Sequence, residues 1–273
     1  MIKKIVIPAA GLGTRLLPIT KEIPKEMMPL FLQDKEGEMS VKPLIQIIYE
    51  KFFHFGLREY CIIVGRQKRI IEDHFTSDQE FSKKFRKNSK YRIDLEKFYF
   101  MLNRTKLFWI NQQEPNGFGD AVWYAESFVG NDDFLVSAGD TLLLEDKIIK
   151  KLLNDKLSGK NDAILILKQV PDARRFGVAV VSKKNQKIKV TNVEEKPKNP
   201  KSNFAVTGLY FYDNNATEYA KRIKPSSRGE LEITDLNRIY LEEQKLSVEI
   251  LGRGYAWLDT GTHESLLEAQ NFI

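Results

Sequence analysis

A glycine-containing segment near the amino terminus carries two cationic side chains at a spacing suited to phosphate chemistry. In PAAGLGTRLLPITKEIPKEMMPL, Gly11 and Gly13 follow a short apolar run, and Arg15 and Lys25 follow the glycines. Glycine can adopt positive φ, so it lets backbone N–H groups approach phosphate oxygens closely. Arginine adds a fork of donors, and lysine adds a point charge. The combination predicts a loop that binds a triphosphate.

The same loop lacks the features of two common nucleotide-binding motifs. It has neither the Gly-Lys-Ser/Thr ending of a P-loop nor the third glycine of a dinucleotide fingerprint. It therefore predicts neither a kinase-type NTPase nor a hydride-transfer enzyme. Taken alone, a glycine loop after a strand is also compatible with a simple tight turn.

With GTR and PKE attached, the segment resembles the signature of the sugar-1-phosphate nucleotidyltransferases. Bacterial and archaeal UTP–glucose-1-phosphate uridylyltransferases carry a similar GxGTR…PKEM…P run, followed by PLIQ and later by IEDHF. The resemblance implies that the nucleotide is bound by nine residues of this chain: Ala9, Ala10, Gly11, Gly13, Thr14, Arg15, Lys25, Gln112 and Gly117.

A second segment, QQEPNGFGDAV, resembles the part of these enzymes that reads the base. The family has a glutamine five residues before a glycine, and that spacing selects Gln112 and Gly117 here. A glutamine amide offers both an acceptor and a donor to the imide edge of uracil or thymine. The alternative interpretation is a glutamine on the protein surface.

Two aspartates are assigned to metal binding by the resemblance: Asp140 in SAGDTLLL and Asp259 in YAWLDTGTHESLLEA. Each ends an apolar strand pattern, where a buried carboxylate without a cation would be costly. Mg²⁺ held by one or two carboxylates and by phosphate oxygens would remove that cost. Mg²⁺ is therefore the expected cofactor.

The sugar-phosphate pocket is also placed by resemblance. VTNVEEKPKNP looks like the family's sugar-phosphate segment, with Glu195 at the sugar hydroxyls and Lys196 at the phosphate. FGV and AVTGLY resemble its walls and supply Gly177, Val206 and Tyr210. By charge composition alone, EEKPK is typical of an ordinary solvated turn.

The implied reaction is attack by a phosphate oxygen of α-D-glucose 1-phosphate on the α-phosphorus of UTP, which forms UDP-glucose and releases pyrophosphate. It needs no covalent enzyme nucleophile. Positioning and charge neutralisation by Arg15, Lys25, Asp140 and Lys196 would supply the catalysis. The expected partners are therefore the small molecules UTP, glucose 1-phosphate, UDP-glucose and pyrophosphate. We also expect a homo-oligomer, either a dimer or a tetramer.

The two halves of the chain differ in what they resemble. The stretch from about 174 to 273, with RGELEITDLNRIYLEE and ILGRGYAWLDTGTHES, is closer to glucose-1-phosphate thymidylyltransferases. The alternative nucleotide is therefore dTTP. Because the amino-terminal half holds Gln112, the sequence favours UTP.

Thymidylyltransferases carry further helices after LDTGTH that help form a second nucleotide-sugar site, so the sequence ending at Ile273 leads us to expect product inhibition at the active site only.

These side chains need a scaffold of alternating strands and helices. Apolar runs of strand length occur at 5–8, 59–65, 107–111, 133–140 and 162–167, with helical patterns between them. This alternation predicts an α/β fold, a Rossmann-like mixed and mostly parallel sheet flanked by helices. We expect one domain over 1–273, with a nucleotide-binding part at about 1–170, a helical insertion at 76–106 and a sugar-phosphate-binding part at about 171–273.

Composition favours a cytoplasmic protein. The single cysteine forbids an internal disulfide, three scattered histidines match no zinc spacing, and no apolar stretch approaches the ~20 residues of a membrane span. The net charge of +6 suits an anionic ligand. The polar, basic segment 76–106 leaves a minor alternative, a nucleic-acid-binding face, against the interpretation of solvated helices packing a few aromatics.

Overall fold

The apolar runs of the sequence form the strands of a large sheet. A computed structural model of the chain describes residues 2–33, 37–144, 146–157, 162–184, 187–252 and 254–272. The strands are β1 (Lys4–Pro8), β2 (Pro29–Gln33), β3 (Met39–Pro43), β4 (Glu59–Val64), β5 (Lys106–Asn111), β6 (Phe134–Ser137), β7 (Thr141–Leu143), β8 (Ala163–Gln169), β9 (Gly177–Lys184), β10 (Lys187–Glu195), β11 (Phe204–Tyr212), β12 (Leu246–Leu251) and β13 (Trp257–Asp259).

Helices connect most of these strands. They are α1 (Leu44–His54), α2 (Arg69–His74), α3 (Gln79–Lys83), α4 (Lys90–Leu102), α5 (Phe118–Tyr124), α6 (Glu126–Val129), α7 (Asp146–Leu157), α8 (Asn215–Ala220), α9 (Ile233–Glu242) and α10 (His263–Phe272). Short 3-10 turns lie at Thr14–Leu16, Ile19–Lys21 and Lys25–Met27. None of the helices in the described ranges is long and apolar enough to cross a membrane.

The main sheet has nine strands in the order β10-β9-β11-β6-β1-β4-β5, with β8 paired to both β11 and β12. The pairs β1–β4, β1–β6, β4–β5 and β8–β12 are parallel. Only β10 and β11 run against the other described strands of this sheet. The prediction of a mixed, mostly parallel sheet flanked by helices is confirmed.

Apolar side chains cover both faces of the sheet. Along β1, Ile5 and Ile7 pack into one buried cluster with the apolar face of α1, whereas Val6 packs into a second cluster on the opposite face. This alternation follows from the two-residue period of a strand. Helix α1 begins directly after Pro43 and is followed by Gly56 at φ +92°, which are residues typical of a helix start and a helix end.

The predicted strand 133–140 is shorter than expected. Strand β6 stops at Ser137, and the chain turns through Gly139 into β7, which pairs with β13. A Cβ on Gly139 would lie 2.8 Å from Glu26 Cγ and 3.0 Å from Pro8 O. The chain therefore passes too close to its neighbours at this point for any larger residue. The β7–β13 pairing sets Asp259 opposite Thr141, next to Asp140.

The predicted insertion 76–106 contains α3 and α4. Phe98 is buried against Tyr49 of α1, with ring centroids 5.9 Å apart. Tyr91 is exposed. Several of the segment's cations are paired with carboxylates: Lys83 with Glu80, Lys90 with Glu38, Arg92 with Glu96 and Lys97 with Asp94. The hairpin of β2 and β3 was not predicted from the sequence.

Candidate active site

The glycine loop lies at the carboxyl end of β1, where a cavity of about 360 Å³ opens. The carboxyl ends of β1, β5 and β6 meet at this edge because these strands are parallel. The cavity is lined by residues of all three ends and of later segments: Pro8, Ala10, Gly11, Leu12, Gly13, Thr14, Arg15, Lys25, Glu26, Gln112, Pro115, Gly117, Phe118, Ala121, Ala138, Gly139, Asp140, Lys196 and Glu230. Ala9 is buried beneath it and donates its N–H to Ile63 O at 2.7 Å.

The two loop glycines serve different purposes. Gly13 has φ +67°, the left-handed conformation that the sequence predicted. Gly11 does not have positive φ, so of the two glycines only Gly13 uses this conformation. A Cβ on Gly11 would lie 3.8 Å from Lys25 Cε, in ordinary contact. Gly11 instead leaves open space beside the Lys25 ammonium.

Lys25 and Asp140 form a short ion pair inside the cavity. Lys25 Nζ lies 2.5 Å from Asp140 Oδ2, and both side chains are largely buried. Burial lowers the pKa of Lys25, but the charges of Asp140 and Glu26 outweigh burial and raise it. Burial raises the pKa of the Asp140 carboxyl, yet the charge and hydrogen bond of Lys25 bring it below its ordinary value. Both groups are therefore charged at neutral pH.

Asp259 lies near this pair although it is 119 residues further along the chain than Asp140. Thr260 donates both its N–H and its hydroxyl to Asp140 O, each at 3.0 Å. The Asp259 carboxylate accepts from Gly261 N at 3.2 Å and pairs with Arg175 at 3.2 Å. Burial and the negative charge of Asp140 raise the pKa of the Asp259 carboxyl. The two carboxylates are thus close enough to repel each other.

This donor set fits a hard divalent cation. Two carboxylates, with the remaining positions filled by water and phosphate oxygens, are the usual protein contribution to Mg²⁺ binding. A cation between Asp140 and Asp259 would remove their repulsion. Within the described ranges there is no cluster of three or more His, Cys, Asp or Glu side chains suited to a metal, so these ranges provide no closed protein cage.

The Arg15 side chain lies close to the Asp259 carboxylate. A Cβ on Gly261 would meet Arg15 Nη2 at 2.9 Å and Asp259 Oδ1 at 3.0 Å. Gly261 therefore provides the room in which the guanidinium and the carboxylate approach each other. The favourable charge of Arg15 acts on both Asp140 and Asp259.

A second ion pair, between Glu26 and Lys68, lies beneath the glycine loop and was not predicted from the sequence. Glu26 Oε2 accepts from Lys68 Nζ at 3.0 Å, and the Glu26 side chain is fully buried. Its other oxygen, Oε1, is buried without a hydrogen-bond partner among the described residues. The pair ties the PKE segment to the loop after β4. In sequence, both residues resemble ordinary surface charges, so no local signal could have found them.

Gln112 lies at the end of β5 and is buried, which excludes the interpretation of a surface glutamine. Its Nε2 donates to Asp120 Oδ2 at 2.5 Å and to Gly117 O at 3.4 Å. The expectation that the amide offers both a donor and an acceptor to the base is therefore wrong for this arrangement. The donor is already engaged by the protein, so only the oxygen is available.

Gly117 joins the two halves of the site. The segment 226–231 crosses over it, where Leu231 donates its N–H to Asn116 O at 2.7 Å and accepts from Gly119 N at 2.8 Å. Gly117 has φ +125°, and a Cβ there would lie 2.5 Å from Leu231 O. A side chain at this position would collide with Leu231, so glycine allows the segment 226–231 to lie against the loop after β5.

Gly117→Ala is expected to destabilise the protein by about 1–3 kcal/mol and to lower kcat/KM, because the added methyl displaces Leu231. The matched control is Gly56→Ala, since Gly56 also has positive φ but a Cβ there has no neighbour within 4 Å. Urea unfolding and steady-state kinetics check both variants. Equal losses of activity in the two would show that backbone strain, rather than the Leu231 contact, is responsible.

The residues predicted for the sugar phosphate lie on strands β9 to β11, except Lys196, which directly follows β10. Gly177 is directly opposite Glu195, and a Cβ on Gly177 would meet Thr234 Oγ1 at 3.0 Å. Thr234 donates to Glu195 Oε2 at 2.5 Å, which orients that carboxylate. Lys196 has φ +40° and lines the cavity, with its Nζ 3.5 Å from Glu195 Oε1.

The wall of this pocket is apolar. Val206 and Tyr210 are both buried, and the Tyr210 ring packs edge-on against Phe118, with centroids 5.7 Å apart. Burial, with the charges of Glu195 and Asp140, raises the pKa of Tyr210, so its hydroxyl stays protonated. Arg228, which the sequence analysis missed, lies 3.7 Å from Glu195 and adds a cation to this side.

Known proteins resemble this chain over nearly its whole length. The family model described as nucleotidyl transferase matches residues 4–273. A glucose-1-phosphate thymidylyltransferase of Neisseria meningitidis serogroup A is 37% identical over 99% of this chain and 82% of its own length. A UDP-glucose pyrophosphorylase solved with UDP-glucose is 27% identical, with a TM-score of 0.83 over 100% of this chain and 98% of that one. The UTP-bound UGPase from Acinetobacter baumannii is 26% identical, with a TM-score of 0.81 over 100% and 93%.

The chain therefore belongs to the nucleotidyl transferase family. The resemblance to the sugar-1-phosphate nucleotidyltransferases, predicted from the sequence signature, is confirmed. One of these relatives is named for thymidylyl transfer and another for UTP, so family membership does not decide between thymine and uracil.

Proposed function

We propose that the protein transfers a uridylyl group from UTP to α-D-glucose 1-phosphate, forming UDP-glucose and pyrophosphate. The observation that carries the proposal is the cluster of Lys25, Asp140, Asp259 and Arg15 beside the glycine loop. It combines two largely buried carboxylates with two cations beside a cavity that Gln112 also lines. This combination suits a metal-bound triphosphate attached to a pyrimidine base.

In the proposed mechanism, a phosphate oxygen of the sugar phosphate attacks the α-phosphorus, and the bond from that phosphorus to the bridging oxygen of the pyrophosphate breaks. Lys25 and Lys196 neutralise the crowded phosphates, and Arg15 stabilises the leaving pyrophosphate. Mg²⁺, when bound by Asp140 and Asp259, would supply further neutralisation and bring the two anions together. Glu195, oriented by Thr234, holds the sugar hydroxyls. Catalysis thus rests on positioning and charge, without a covalent intermediate.

Glucose-1-phosphate thymidylyltransferase activity is the second candidate. It is favoured by the 37% identity to the Neisseria meningitidis enzyme of that name. The UTP assignment is supported by the match over the full chain to structures named for UTP and UDP-glucose. Thymine differs from uracil by one methyl group, which distinguishes substrates by only about 1–3 kcal/mol.

We expect UTP to give the highest kcat/KM, dTTP the second highest, and ATP and GTP much lower values, because the Gln112 oxygen accepts from a pyrimidine imide. The test is pyrophosphate release with each triphosphate, glucose 1-phosphate and Mg²⁺. A clear preference for dTTP would support the second candidate. ATP or GTP use equal to UTP use would exclude Gln112 as the base reader.

A further inference from the structure

Asp120 is a buried carboxylate beside the base-reading glutamine, and the mechanism above gives it no role. It lies in the first turn of α5 and is only 2% exposed. Its Oδ2 accepts from Gln112 Nε2 at 2.5 Å, while Gly117 O lies 3.4 Å from the same nitrogen. The amide nitrogen therefore faces two acceptors. No hydrogen bond between described residues goes to the amide oxygen of Gln112.

These contacts allow only one orientation of the Gln112 amide. If the amide turned over, its oxygen would lie against the Asp120 carboxylate and the Gly117 carbonyl, and acceptors repel one another. A glutamine at this position without such neighbours could present either its oxygen or its NH₂ group. Asp120 removes that choice, and the oxygen remains for the ligand in the cavity that Gln112 lines.

The orientation matters because pyrimidine bases differ at the edge they present. Uracil and thymine carry an N3–H donor between two carbonyl groups, whereas cytosine N3 is an acceptor. A fixed oxygen on Gln112 accepts from N3–H of the first two bases and faces a lone pair in the third. A buried site built for one hydrogen-bonding pattern discriminates strongly against the other, because its polar groups are left unpaired.

We propose that Asp120 is a positioning residue that fixes the amide of Gln112 with its oxygen towards the base, and that it thereby excludes cytidine triphosphate from the site. The inference rests on the proposed function, since it needs Gln112 to read the base. Discrimination between cytosine and the imide bases uracil and thymine then depends on Asp120, which does not itself touch the nucleotide.

The test is Asp120→Asn, assayed with UTP and with CTP. An asparagine can turn its NH₂ group towards the Gln112 oxygen, which lets Gln112 Nε2 face the base and donate to cytosine N3. We expect the ratio of kcat/KM for UTP to that for CTP to fall by about tenfold or more. The KM for glucose 1-phosphate should stay unchanged, since the sugar pocket is not altered. Asp120→Ala removes the constraint in a second way and should shift the ratio in the same direction.

Two controls separate positioning from a general structural effect. Glu126→Gln makes the same carboxylate-to-amide change at an exposed residue, whose partner is Lys221, and should leave the ratio unchanged. In a Gln112→Ala background, Asp120→Asn should no longer affect the ratio, because Asp120 acts through Gln112.

The outcomes distinguish this inference from the proposed function. A wild-type protein that prefers ATP or GTP overturns both. A wild-type protein that prefers UTP or dTTP, with folded Asp120 variants that lose activity equally with UTP and CTP, overturns this inference alone. A ratio that still shifts in the Gln112→Ala background also overturns it.

Discussion

Asp140→Asn is expected to lower kcat by about 10²-fold or more while the protein remains folded. The asparagine keeps the shape of the side chain and an oxygen that can accept from Lys25 Nζ, which lies 2.5 Å from the carboxylate. It loses the negative charge that neutralises Lys25 and that is proposed to hold Mg²⁺ with Asp259. Because that charge is needed most while the phosphates are exchanged, the loss should appear in kcat more than in the KM for the triphosphate.

The comparison variants for Asp140 are Asp259→Asn and Asp146→Asn. Asp259→Asn should show a similar loss, and both variants should need more Mg²⁺ for half-maximal rate, if the two carboxylates hold one ion. Asp146 is an exposed carboxylate paired with Lys51 at 3.0 Å, so its substitution should leave kcat unchanged. Near-wild-type turnover in folded Asp140→Asn would remove Asp140 from the mechanism.

Much of the site geometry follows from the parallel strands, whose approximate positions the sequence predicts. The glycine loop, Gln112 and Asp140 each follow an apolar run, and those runs become the parallel strands β1, β5 and β6. Side chains at the carboxyl ends of parallel strands meet at one edge, so their proximity could be expected. Asp259 is different. Only the family resemblance placed it with Asp140, which it reaches through the short pairing of β13 with β7.

Other features depend on tertiary contacts that leave no local signal. Asp120 belongs to a short helix whose pattern does not show that its carboxylate faces Gln112. Arg228 lies in the RGELEITD segment, and its position beside Glu195 becomes visible only once the strands are assembled. Glu26 and Lys68 are 42 residues apart and meet because the 3-10 turn at Lys25–Met27 lies against the loop after β4. From sequence alone, charged residues are usually predicted to lie at the surface, and a buried ion pair is an exception to that rule.

The buried pair of Glu26 and Lys68 makes Lys68→Met the variant with the largest expected effect on stability. The Glu26 side chain is 0% exposed, and Lys68 provides its only hydrogen bond among described side chains. Breaking a buried pair by removing one partner typically costs about 3–5 kcal/mol, because the other charge remains buried. The exposed pair of Lys83 and Glu80 supplies the control, since Lys83→Met should change the free energy of unfolding by less than about 1 kcal/mol.

The destabilisation of Lys68→Met should also depend on pH in a defined direction. Burial raises the pKa of Glu26 above 4.5, although Lys25 and Lys68 oppose the rise, so removing Lys68 raises it further. A group with a raised pKa in the folded state favours folding only while it is protonated. Its contribution to the free energy of unfolding is complete below the pKa that it has in the unfolded state. That contribution is lost as pH rises through the pKa that it has in the folded state. Urea unfolding at pH 5 and pH 8 should therefore show a larger loss of stability in Lys68→Met at pH 8. An equal loss at both values would mean that the Glu26 charge is not what destabilises the variant.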